Sequence, residues 1–78
     1  MPRSRPRHRP TFERVGRVLA ECRLEAGLTQ RELAAALGVS QGTVGQAELG
    51  SKNVGLIEFI DWCHACDADP IAVLKKVI

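Results

Sequence analysis

From Thr11 onward, apolar residues recur in steps of three and four: Phe12, Val15, Leu19, Cys22 and Ala26. That period lines them along one face of a helix of about four turns. Gly27 follows, and a residue without a Cβ closes a helix well in the left-handed conformation. Thr29 with Glu32 three positions on is a capping box, in which hydroxyl and carboxylate satisfy backbone donors at a helix start. The second helix so begun carries Leu33, Ala34 and Leu37 inward and stops at Gly38, where a tight turn between helices asks for positive φ. Ser40 caps a third helix over about residues 40–49, with Val44, Ala47 and Leu49 toward the core and Gln41, Gly42, Gly45 and Gln46 outside. Past Gly50 and the polar link Ser51, Lys52 and Asn53, a fourth helix turns Leu56, Phe59, Ile60, Cys63 and Cys66 inward, with Trp62 at the edge of the core. Asp69 and Pro70 have the character of a cap and first helical residue, and the last short helix carries Ile71, Leu74, Val77 and Ile78. No segment alternates apolar and polar residues over a strand's length, so the expectation is an all-α bundle of five short helices.

Pro2, Pro6 and Pro10 forbid a continuous helix before Thr11. The chain therefore divides into a basic arm, residues 1–10, and a folded domain, residues 11–78. Charge sharpens the division. The net +2 of the 78 residues hides four arginines in the arm, Arg3, Arg5, Arg7 and Arg9, with no acid among them. The domain holds seven Lys and Arg against nine Asp and Glu. An arginine arm on a slightly acidic body is suited to phosphate groups. No run approaches the roughly 18 apolar residues that cross a bilayer. The basic start leads into Glu13, Arg14 and Arg17 instead of an apolar signal core, so the expectation is a cytoplasmic chain without a membrane partner.

Two short helices joined by a glycine-containing turn, the second one capped, make a helix-turn-helix unit, here residues 29–49. The run LTQRELAAALGVSQGTVGQAELG from Leu28 to Gly50 resembles the helix-turn-helix of the Cro and phage-repressor type, the XRE family. Gln30, Ala34, Gly38, Val39, Ser40, Val44, Glu48 and Gly50 fall at its characteristic positions, and the likeness extends over roughly residues 12–77. The resemblance implies a compact five-helix bundle of the lambda-repressor-like type, sequence-specific binding of double-stranded DNA as a transcriptional regulator, in particular a repressor, and frequently a homodimer on a two-fold symmetric operator. Carried over by position, Gln41, Gly42 and Gln46 face the bases, and a glutamine amide can pair with adenine through both its donor and its acceptor. Gln30, Ser40, Thr43, Lys52 and Asn53 fall beside the phosphate backbone. Arg23 and Glu48 match a pair that joins the first helix to the end of the recognition helix. Gly42, Gly45 and the small Ala47 depart from the family pattern, leave few base-reading side chains, and suggest modest specificity or some readout of DNA shape.

Cys63 and Cys66 form a C-x-x-C pair with His64 between them, and Cys22 stands apart in sequence. Zinc or redox chemistry is one reading. The other, preferred because all three cysteines fall on apolar stripes, is plain core packing, with no metal and no cofactor. Neither histidine has a nucleophile and a base arranged around it, and no glycine loop cradles phosphate, so the chain is not expected to be an enzyme. Two alternatives stand beside the regulator: the antitoxin of a toxin-antitoxin pair, holding a toxin as well as DNA, and a protein-interaction module on the same scaffold. A homodimer is expected to form through the last helices, which carry more apolar surface than their own packing needs.

Overall fold

The computed structural model describes residues 10–78. The four arginines assigned to the arm lie outside the described residues. Five helices follow in order: α1 (Phe12–Glu25), α2 (Gln30–Leu37), α3 (Gln41–Leu49), α4 (Leu56–Ala65) and α5 (Pro70–Val77). Among the described residues there is no strand.

Local chemistry fixes the helix ends. The Thr11 hydroxyl accepts from the Arg14 N–H at 3.0 Å and opens α1. The capping box at α2 is complete: Thr29 Oγ1 accepts from the Glu32 N–H, and Glu32 Oε1 accepts from the Thr29 N–H at 2.9 Å. Ser40 and Asp69 cap α3 and α5. Gly38, at φ +72°, turns the chain from α2 into α3, a left-handed conformation that costs an L-residue roughly 1–2 kcal/mol. An exposed cap is typically worth about 1 kcal/mol, so these signals set boundaries, and burial must supply the rest.

Burial is centred on Leu19, Leu33, Val44 and Cys63, all fully enclosed. α1 packs on α3 and α5, and α2 packs on α3 and α4. The closest approach is at Gly16, where a Cβ would stand 2.5 Å from the Glu48 carbonyl oxygen and nearer still to that of Ala47. Glycine here lets α1 lie against the C-terminal turn of α3 backbone to backbone. Arg14 ties the same end of α1 to the end of the chain, with its Nε and Nη2 donating to the carbonyls of Val77 (2.9 Å) and Lys76 (3.2 Å). Those carbonyls belong to the last turn of α5, where intrahelical donors run out.

Several positions depart from the periodicity. Leu49, expected toward the core, is 76% exposed, because it falls about 200° round α3 from Ala47, on the side turned away from the core. Phe12 and Leu56, each the first residue of its helix, also face outward, and Ala26 is exposed at the end of α1. Val18 and Val73 fill core positions instead. Trp62 is inside the core and not at its edge; its indole N–H donates to the Leu19 carbonyl at 3.1 Å. Ile71, Leu74 and Ile78 form an exposed stripe on α5 while Val73 and Val77 are buried.

Candidate nucleic-acid interface

The exposed side of α3 starts at its cap. Ser40 Oγ accepts from the Thr43 N–H at 3.2 Å, and the two hydroxyl oxygens are 2.9 Å apart. Gln41, Gly42 and Gln46 are exposed, and Thr43 is half-buried. Val44 and Ala47 hold the opposite side of the helix in the core. α3 therefore presents its first two turns outward with two primary amides, one hydroxyl pair and no charge.

Gly45 does not belong to that open face. It is half-buried, and a Cβ there would lie 3.9 Å from both polar atoms of the Gln30 side-chain amide. Gln30, the first residue of α2, thus lies across α3 and donates from Nε2 to Glu48 Oε1 at 2.9 Å. The same carboxylate receives Arg23 twice, with Nε on Oε2 at 2.6 Å and Nη2 on Oε1 at 3.1 Å. Arg23 Nη1 completes the cluster by donating to the Leu28 carbonyl at 2.7 Å. With side-chain exposures of 11% and 8%, Arg23 and Glu48 are nearly out of water. The bond to Glu48 raises the Arg23 pKa against the opposing effect of burial. The cluster joins α1, α2 and α3 at the C-terminal end of α3. No local pattern announces the Gln30 bond, which depends on the distance between two helix ends.

Lys52 and Asn53 lie in the loop after α3. Lys52 Nζ is 3.4 Å from Glu58 Oε1, which also accepts from the Gly55 N–H at 2.9 Å. The Gly55 N–H and then Lys52 hold the Glu58 carboxyl below its usual range. Lys52 is therefore half-compensated where it stands, while Asn53 is exposed. Pro10, Thr11, Phe12 and Val15 share a cleft with Lys52, Asn53 and Val54. The chain accordingly enters the domain beside this loop.

The three cysteines are free and buried. Burial pushes the Cys63 thiol up to about 11 and the Cys66 thiol up to about 12, and the neighbouring Cys22 adds to the rise at both. Among the described residues no group of three His, Cys, Asp or Glu side chains is arranged to hold a metal ion, and no helix is long and apolar enough to cross a membrane.

Residues 19–71 match the helix-turn-helix family model. Among solved structures, the clp gene regulator ClgR of Corynebacterium glutamicum superimposes with a TM-score of 0.80 at 36% identity, over 85% of this chain and 86% of that one. The restriction-modification controller protein C.AhdI of Aeromonas hydrophila gives a TM-score of 0.73 at 32% identity, covering 80% and 94% of the two chains. An XRE-family-like protein of Pseudomonas syringae pv. tomato gives 0.76 at 39% identity, covering 85% and 80%. Comparison with curated proteins finds no match.

Proposed function

The chain belongs to the XRE type of the helix-turn-helix family, and from that premise we propose that it is a transcriptional regulator, specifically a repressor, that binds double-stranded DNA by placing α3 in the major groove. The observation that carries this is the outer face of α3: Gln41 and Gln46 stand exposed on a capped helix whose other side is fixed in the core. A helix is narrow enough for the ~12 Å major groove, and a glutamine amide pairs with the N6 and N7 edge of adenine. Gly42 adds no side chain, so the face reads few bases directly. Gln30, Ser40, Thr43, Lys52 and Asn53 border this face and are the proposed phosphate contacts, which give register and affinity without sequence information. The solved relatives support regulation as the role, since ClgR is a clp gene regulator and C.AhdI is a restriction-modification controller.

Affinity needs more positive charge than this face carries. The outer side of α3 is neutral, and Lys52 already faces Glu58. The proposed source is the arm, because Pro10 enters the domain beside Lys52 and Asn53, and Arg3, Arg5, Arg7 and Arg9 precede it within a few residues. Self-association is proposed through α4 and α5, where Leu56, Ile57, Ile71, Leu74 and Ile78 are exposed. Such a dimer is isologous and calls for two half-sites about one helical turn, ~34 Å, apart.

Selection of bound duplexes from a random pool at near-physiological salt tests the proposal. Enrichment of a two-fold symmetric site with adenines whose identity matters to Gln41→Ala or Gln46→Ala is the expected result. A pool that stays random overturns sequence-specific regulation.

A further inference from the structure

Glu48 is an acid beside a surface proposed to meet phosphate, and its side chain is only 8% exposed. Simple electrostatics makes such a residue a liability for DNA binding. Its geometry suggests otherwise. A carboxylate only accepts hydrogen bonds, so it dictates which end of the Gln30 amide faces it: nitrogen inward, as the 2.9 Å contact shows. With the nitrogen set by Glu48, one Nε2 hydrogen is used and the second is left to donate. A phosphate oxygen is likewise only an acceptor, so it needs that N–H and is repelled by the amide oxygen. Arg23 spans both carboxylate oxygens and neutralises the charge that does the aiming.

Gly45 supplies the seat. A bare Cβ at this position would only touch the Gln30 amide, 3.9 Å from each polar atom. Any longer side chain leaving α3 there would enter the space the amide occupies.

We propose that Glu48 and Gly45 are positioning residues for DNA binding: Glu48 fixes the orientation of the Gln30 amide and Gly45 leaves room for it, so that Gln30 offers its free N–H to a backbone phosphate. This rests on the DNA-binding function proposed above. Glu48 thereby joins a backbone contact at the start of α2 to the end of the recognition helix and, through Arg23, to α1.

The decisive variant is Glu48→Gln. It removes a negative charge near DNA and leaves Arg23 uncompensated, so charge alone predicts tighter binding. A neutral amide at position 48 can present either oxygen or nitrogen to Gln30, so the orientation is no longer imposed, and positioning predicts weaker binding. The measurement is fluorescence anisotropy with the duplex enriched by selection, at a temperature where thermal melts show every variant folded. The expected result is roughly ten-fold weaker binding for Glu48→Gln, the size of one lost charge-assisted hydrogen bond. Gln30→Ala should lose about as much, and the double variant should lose little more than either single one. Gly45→Leu, which leaves the Arg23 to Glu48 bridge untouched, should weaken binding to a similar degree, while Gly45→Ala should not. Unchanged or tighter binding by Glu48→Gln, or losses of the two single variants that simply add, overturns the positioning role. Failure of the wild-type protein to enrich any duplex defeats the DNA-binding function instead, so the two failures are distinguishable.

Discussion

Arg23→Ala probes the cluster at the C-terminal end of α3 most directly. The substitution deletes three donors at once: two on Glu48 and one on the Leu28 carbonyl. It strands the Glu48 carboxylate, 8% exposed while Arg23 covers it, with Gln30 still donating to it. Breaking a buried pair from one side costs about 3–5 kcal/mol, mainly as the desolvation penalty of the stranded charge. At roughly 0.05–0.15 kcal/mol per residue, a domain of this size has about 3–10 kcal/mol to lose. A loss of 1 kcal/mol moves the melting temperature of so small a domain by about 4–8 °C, so a fall of about 12 °C or more is expected. Differential scanning calorimetry at pH 7 measures it. The deficit should shrink when Glu48 is replaced by Met in the same chain, because no charge is then left stranded. A melting temperature within about 4 °C of wild type would refute the reasoning, because it would mean the pair is solvated in spite of its enclosure.

Gly16→Ala should be severely destabilising, by about 1–3 kcal/mol or more, because its Cβ would meet the Ala47 and Glu48 carbonyl oxygens; a melting temperature equal to wild type contradicts the close approach. The cysteines predict a pH dependence. The folded pKa values of Cys63 and Cys66, raised to about 11 and about 12, lie above an unfolded value near 8.5, so their contribution is complete below about pH 8.5 and is lost as pH rises toward 11–12. Thermal melts from pH 8 to 10.5 should fall more steeply for wild type than for Cys63→Ala, and parallel curves would count against burial as the cause. Deleting residues 2–10 should flatten the plot of log affinity against log salt by roughly 3–4 units if all four arginines neutralise phosphates, and an unchanged slope would show an idle arm. Leu74→Glu should reduce a sedimenting dimer to monomer while leaving the helical circular dichroism intact; a wild-type protein that is monomeric both alone and on DNA excludes the proposed α4 and α5 interface.

The helices were legible because their signals are local. Thr29 with Glu32, Gly38, Ser40, and Asp69 with Pro70 each act within one turn of chain, and each sits at a helix end in the structure. Periodicity was a blunter guide. It names a face but not where that face runs past its neighbour, which is why Phe12 and Leu56, each first in its helix, are exposed while Val18 and Val73 are buried; Leu49 is exposed because it falls about 200° round α3 from the buried Ala47. Gly16 carries no sequence cue, since its meaning depends on carbonyls 31 and 32 residues away. The site divides along the same line. The exposure of Gln41 and Gln46 follows from helix phase, whereas the placement of Gln30 depends on three helices meeting at one carboxylate. A glycine in α3 reads, from sequence, as a lost contact and a weaker helix. In the fold Gly42 is exposed, whereas Gly45 is half-buried, with the Gln30 amide 3.9 Å from where its Cβ would stand. Two identical residues three positions apart on α3 thus stand in different surroundings, Gly42 on the open face of the helix and Gly45 under a side chain from α2.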